Sequence, residues 1–316
     1  MSGEYGNSNP ADYAWEVNQE NIVEGRGLEE ISRVGWSRYR EAVSQSSYAD
    51  MVSAQARQIH ELENRADQAG IKDAPEWATS QKNAAAAGRA HQLSKQLSEQ
   101  YGKDSKSNFI AYQSGGKKLM VRGRGIVLDK DGAPMETPVT RVYCSVATQN
   151  SPEAFQSLFA HLAEEGVMDN SDLAFNLESF QGDQNKPFEN NTLVLYVYGS
   201  HPDFMDKIAK ALKRAKEDAP QVWDMGPRNT ARAKRYMVND FMIPLDDTTS
   251  FVEASNAYSY HQGPRGRMFS EITGEIPGKL LEPEQIAQKL SVYTPQRPGL
   301  LDQDKDRRRY MPGLIF

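Results

Sequence analysis

Nine residues, Ser259-Tyr260-His261-Gln262-Gly263-Pro264-Arg265-Gly266-Arg267, gather the side chains of a phosphate clamp just ahead of a segment, RMFSEIT, that reads as the start of a helix. The planar fork of arginine matches phosphate oxygens, backbone N–H groups at a helix start add partial positive charge, and glycines permit close approach. Arg265 and Arg267 are the candidate holders of an anion, with Ser259 beside them. His261 is the candidate general acid, because imidazole titrates near neutrality. A polar surface loop would have the same composition.

More cations stand upstream. Lys118 and Arg122 are four residues apart in a segment that alternates like a strand, so they share one face, and Arg124 continues that face if the strand persists. Arg141 and Tyr143 share a face of the next strand for the same period-two reason. Adjacent strands would then build a row of cations. For any one residue the competing reading is a solvated face whose long side chains reach into water.

Other chemistries fit less well. GRGIV and SGGKK match neither the Walker A spacing nor a G-x-G-x-x-G that follows a strand and opens a helix. The five histidines, His60, His91, His161, His201 and His261, show no i,i+4 pair and no H-E-x-x-H, so no metal site is expected. Cys144 is the single cysteine, which excludes an intramolecular disulfide framework, and its strand setting reads as a buried, inert thiol. Asn190-Asn191-Thr192 matches a glycosylation sequon but carries little weight without a secretory signal.

Composition bounds the partners. A net charge of −6 over 316 residues argues against bulk binding to nucleic acid or an anionic membrane, which needs a basic excess. Any anion site must therefore be local. Mean hydropathy is −0.70, polar for a globular chain, and no apolar run approaches the ~20 residues of a membrane span. The N-terminus lacks the basic start and apolar stretch of a Sec signal. A cytoplasmic protein in the producing cell is expected.

The elements that would position these residues fall into four stretches. Residues 1–26, rich in Gly, Asn and Ser, read as a flexible N-terminus. Residues 27–104 read as a helical region, a hairpin broken near Ser44–Ser47, with Gly70 as a stop, Pro75 in a first turn and an end at Gly102. Residues 105–295 read as an α+β unit, a mixed β-sheet with helices packed mainly on one face, and 296–316 as a C-terminal tail. Within the unit, NFIAYQ, KKLMVRGRGIVL, TRVYCSVAT, LAFNLESF and NTLVLYVYG read as strands, the last central. Helices are expected from Ser151, as N-cap, to Gly166 and from His201 to before Pro220. VWDMGPRNTARAKRY reads as an irregular basic segment, and FMIPLD as a short edge strand, where Pro244 is tolerated.

From Lys118 to about Ile272 this order of segments resembles the HopA family of type III secreted effectors. It comprises KKLMVR, RVYCSV, the helix SPEAFQSLFAHLAEEG, LAFNLESF, NTLVLYVYG with its following helix, FMIPLDDTTSFVEASN, and finally SYHQGPRGR before a helix. That family shares its domain with lyase components that act beside a kinase in some lanthipeptide pathways, and its fold resembles bacterial phosphothreonine lyases. The resemblance implies elimination of phosphate from phosphoserine or phosphothreonine in a polypeptide, without metal or cofactor. It maps Arg141, Tyr143, Arg265 and Arg267 to anion-holding positions and His261 to the acid; Arg122 and Ser259 join them as substrate-binding candidates. Lyase-type members tend to carry a lysine on the middle strand, where this sequence has Leu177 and Glu178. Lys118 then has to serve as the base.

Three functional readings result. The first is an effector-like protein acting on a phosphorylated peptide or protein, compatible with type III delivery into a host cell and with a secretion chaperone on the helical region. The second is a non-catalytic interaction protein gripping a phosphorylated or acidic partner. The third, an ADP-ribosyltransferase, is prompted by Arg141-Val142-Tyr143 and the Thr249-Ser250 pair, and is weakened by the absence of a Glu-x-Glu after them.

Overall fold

The computed structural model describes residues 24–45, 48–72, 76–114, 118–126, 139–168, 173–177, 188–198, 202–239 and 242–254. The helical region consists of α1 (Gly27–Val34), α2 (Trp36–Gln45), α3 (Tyr48–Gln68) and α4 (Glu76–Gln100). Gly35 separates α1 from α2 with φ of 87°, and Gly70 follows α3 with φ of 63°, both in the left-handed region that glycine enters without strain. The anticipated hairpin is corrected: α3 and α4 do not pack on each other among the described residues, α3 lying instead along the later helix Gly226–Asn239 and α4 against the strand Phe109–Ser114 and the helix Ser151–Glu164.

Strands β1 (Phe109–Ser114), β2 (Lys118–Gly123) and β3 (Val139–Ala147) come next, then α5 (Ser151–Glu164). They are followed by β4 (Leu173–Leu177), β5 (Phe188–Tyr198), α6 (Pro202–Asp218), the short α7 (Pro220–Trp223), α8 (Gly226–Asn239), β6 (Ile243–Pro244) and β7 (Thr249–Ala254). The class is α+β. One sheet has the order β1-β2-β4-β5-β3-β7-β6, with β5 at its centre and the Pro244 strand at an edge.

The expected mixed sheet is corrected: among the described residues every pairing is antiparallel. β3 and β4 run the same way and are joined through α5, but β5 slots between them, so the crossover yields no parallel neighbours. The segment read as irregular, VWDMGPRNTARAKRY, is also corrected, since α7 and α8 occupy most of it. Its basic residues are helix-to-helix ties: Arg235 bonds both carboxylate oxygens of Glu63 at 2.7 and 2.9 Å, and Arg228 reaches Asp67 and the Ile71 carbonyl. Charged positions at helical spacing hide a helix whose partner is another polar helix. Asn150, with Ser151 already helical, occupies the N-cap place of α5.

Alternation assigns one face of the sheet to the main core. Val142, Cys144 and Val146 of β3, Leu193, Leu195 and Val197 of β5 and Phe251 of β7 point into it. Against them pack Phe155, Leu158 and Leu162 of α5 and Ile208, Leu212 and Ala215 of α6, spaced three and four apart as an amphipathic face requires. Trp36 and Tyr39 of α2 close this core on Phe251, with ring centroids 4.8 and 6.3 Å away. Gly27 allows that approach, because a Cβ there would meet the Tyr39 hydroxyl at 2.6 Å. On the opposite face, α8 and the segment after it contribute Met237 and Met242, which pack with Tyr143, Val194 and Val252. Helices therefore cover most of one face and part of the other.

Candidate anion-binding face

The register determines which predicted cations meet. One row across the sheet runs Ile110, Arg122, Ala174, Tyr196, Arg141, Val252, and the next runs Tyr112, Met120, Asn176, Val194, Tyr143, Ser250. β2 and β3 are not adjacent, as the sequence suggested; β4 and β5 separate them. Directly paired residues share a face, so Arg122 and Arg141 still fall in one row on the side away from the main core. Three strand spacings put their Cα atoms roughly 14 Å apart.

Each guanidinium sits over a tyrosine: Arg122 lies 5.9 Å from the Tyr112 ring centroid and Arg141 5.8 Å from that of Tyr196. Both charges act on Tyr198, one step further along β5. Burial pushes its hydroxyl up to about 12, Arg141 and Arg122 oppose that, and Tyr112 adds to it. Arg141 is buried, at 3% exposure. Arg122 is half-buried; its Nη1 makes long bonds to the carbonyls of Gly123 and Ile126, at 3.4 and 3.3 Å, and its buried Nε has no hydrogen-bond partner.

The remaining candidates divide. Tyr143 is buried in the apolar cluster beneath α8, next to the arginine row. Lys118 opens β2 opposite Ser114, four residues from Arg122, and its side chain lies outside the described residues. Ser259, His261, Arg265 and Arg267 also lie outside them. Leu177 pairs with Leu119 and Leu193, and Glu178 is beyond the described end of β4. Arg124 is corrected: the strand ends at Gly123, and its guanidinium turns back to the carbonyls of Gly102, Lys103, Ser105 and Ser107. Tyr112, Tyr196 and Tyr198 were read only as strand residues, although the i,i+2 spacing of the last two already placed them on one face.

A second polar cluster was missed altogether. It is built on the turn between β6 and β7, Leu245-Asp246-Asp247-Thr248. Asp246 Oδ1 accepts the backbone N–H groups of Thr248 and Thr249 at 2.8 and 2.7 Å. Lys216 of α6 donates to Asp246 Oδ2 and to the hydroxyls of Thr248 and Thr249, the last two at 2.8 and 2.6 Å. Its ammonium is 5.3 Å from the Trp223 ring centroid. Burial would raise the Asp246 carboxyl, but the Lys216 charge and bond and the two N–H groups hold it below the ordinary carboxylate value. Beside it Lys234, 1% exposed, binds Asp247 at 2.7 Å and the amide oxygens of Gln58 and Gln55. Thr249 thus holds Lys216, and the Ser250 hydroxyl donates to Met242 Sδ at 3.2 Å, so both residues of that pair are engaged in structure. Cys144 is buried as expected, and burial pushes its thiol up to about 12.

No family model matches the chain, and no curated protein matches it. Four chains of solved structures do. One is described as the structure of the effector protein from Pseudomonas syringae pv. syringae strain 61, with a TM-score of 0.36 and 11% identity, covering 78% of this chain and 97% of that chain. A likeness of that depth transfers neither residue roles nor activity. No described helix is long and apolar enough to cross a membrane.

Proposed function

We propose that the chain binds a phosphorylated polypeptide at the arginine and tyrosine face of its sheet, as an effector-like protein of the HopA type. The observation that carries this reading is the row containing Arg122 and Arg141, two cations aligned across four strands with Tyr196 between them. Guanidinium groups over tyrosine rings are oriented and partly desolvated, which strengthens their bonds to phosphate oxygens. Arg122 Nε is a buried donor left without an acceptor, and an anion would supply one. In this reading Tyr143 braces the floor beside Arg141, while Ser259, Arg265 and Arg267 complete the clamp.

The chemistry that goes with the reading is elimination. Lys118, uncharged, removes the α-proton of phosphothreonine or phosphoserine; the β-carbon to oxygen bond breaks, and inorganic phosphate leaves with a proton from His261. The product is a dehydroamino acid in the peptide, so electrons and atoms balance without a cofactor.

Incubation with a phosphothreonine peptide, followed by mass spectrometry, tests both levels. Loss of the mass of phosphoric acid is the expected result. Tight, phosphate-dependent binding with unchanged mass would reduce the function to recognition, and the absence of binding would sink the proposal. Arg122→Ala is expected to weaken phosphate-dependent binding by ~1.5–3 kcal/mol, the range for hydrogen bonds to charged groups.

A further inference from the structure

Beside the Lys216 cluster lies a cavity of about 530 Å3, remote in chemistry from the arginine face. Its apolar floor includes Leu28, Trp223, Met225 and Leu245. Six carboxylates line it against three cations. The cations are already engaged: Lys216 with Asp246, Lys213 with Glu217 at 3.8 Å, and Arg26 with Glu24. Glu29, exposed in the first turn of α1, and Asp224, which accepts only the Gly226 N–H, have no cation partner among the described residues. The size is that of a pocket that encloses a small ligand or a few side chains, and its unpaired charge selects a basic, partly aromatic occupant.

The chain itself carries such a segment. The chain as a whole is acidic, but the 62 residues past Ala254 carry nine Lys and Arg against seven Asp and Glu, and the cations are densest in Lys305-Asp306-Arg307-Arg308-Arg309-Tyr310-Met311, four cations and one acid with aromatic and apolar side chains directly after them. At up to ~3.3 Å per residue, the 52 residues between Ala254 and Arg307 place no constraint on reach. We infer that this C-terminal segment docks in the cavity of its own chain, the arginines on Glu29 and Asp224 and Tyr310 or Met311 against Trp223. The arginine forks would meet the free carboxylates at the rim while the ring and thioether cover the apolar floor. Docking there would fasten the tail to the turn that leads into β7, and so to the neighbour of β3.

Disulfide trapping in the full-length protein tests this directly. Glu29→Cys combined with Tyr310→Cys is expected to form an intramolecular disulfide on mild oxidation at least tenfold faster than Gln113→Cys with Tyr310→Cys, since Gln113 is exposed on the edge strand β1. Cys144 is buried and does not compete. Adding Arg307→Ala, Arg308→Ala and Arg309→Ala should slow the first pair to the rate of the second. Equal rates for the two pairs would overturn the proposal, and a disulfide found only between two chains would replace it with docking of a second copy. The triple arginine variant without added cysteines supplies an independent readout. Amide hydrogen exchange at residues 24–29 and 245–248 should accelerate severalfold, and unchanged exchange there would also overturn the docking.

Discussion

The Lys216 cluster and the Arg122–Arg141 row lie on opposite faces of one sheet, and they use their cations in opposite ways. Lys216 has three donors and three acceptors, Asp246, Thr248 and Thr249, so its bonding capacity is filled by the chain itself. Arg122 has five donors and meets only two long carbonyl contacts, with Nε unanswered. A saturated cation closes a turn; an unsaturated one on an aromatic face is available to something else. This contrast separates a structural site from the proposed binding site without reference to any relative.

The largest effect should come from the saturated side. Lys216→Met keeps much of the packing on Trp223 but leaves the Asp246 carboxylate part-buried without its cation, a loss of about 3 kcal/mol in the unfolding free energy obtained from urea denaturation. Phosphopeptide affinity of the folded variant should not change. Arg122→Ala should do the reverse, with the affinity loss given above and a stability change within ~1 kcal/mol, because the contacts it gives up are long and partly solvated. If both variants moved both measurements, the distinction between the faces would collapse.

Titration separates the faces next. Asp246 has its carboxyl held below the unfolded value, so its contribution is fully present above that value and is lost as pH falls through the depressed folded value. The acid limb of a stability-against-pH curve should therefore flatten in Lys216→Met. Tyr198 behaves oppositely. Its hydroxyl is raised from 10.0 to about 12, so its contribution is complete below 10 and is lost as pH rises toward 12. Tyr198→Phe should flatten the alkaline limb and leave the acid one alone. A Tyr198→Phe curve that matched the parent above pH ~10 would show that the arginine face does not hold a buried phenol.

How much of this was readable beforehand depends on the range of the interaction. Alternation within β2 and β3 was enough to pair Lys118 with Arg122 and Arg141 with Tyr143, because a strand's faces follow from local geometry. The alignment of Arg122 with Arg141 was not, since it depends on β4 and β5 being inserted in register between their strands. Periodicity likewise missed α8, whose partner α3 answers its cations with Glu63, Asp67 and the amides of Gln55 and Gln58. The Lys216 cluster was invisible for the same reason, because Asp246 lies 30 residues from Lys216 and only the packing of α6 on the sheet joins them. The Asp-Asp-Thr-Thr turn was the one local sign of it, as a carboxylate two and three residues before free N–H groups tends to fold back on them.

Arg124 gives the smallest expected effect and the sharpest control. It stands two residues from Arg122, and by alternation alone it belonged to the same row of cations. The end of β2 at Gly123 instead sends its guanidinium to four carbonyls of the Gly102–Ser107 turn, where it is exposed. Bonds to charged donors are stronger than neutral ones, but water competes for an exposed group, so Arg124→Ala should cost about 1 kcal/mol of stability. It should leave phosphopeptide affinity untouched, measured alongside Arg122→Ala under the same salt. A drop in affinity as large as that of Arg122→Ala would mean that the anion is attracted by general positive charge at this end of the sheet. An unchanged affinity would tie recognition to the row itself, where position across the strands, and not the number of nearby arginines, decides which cation meets the phosphate.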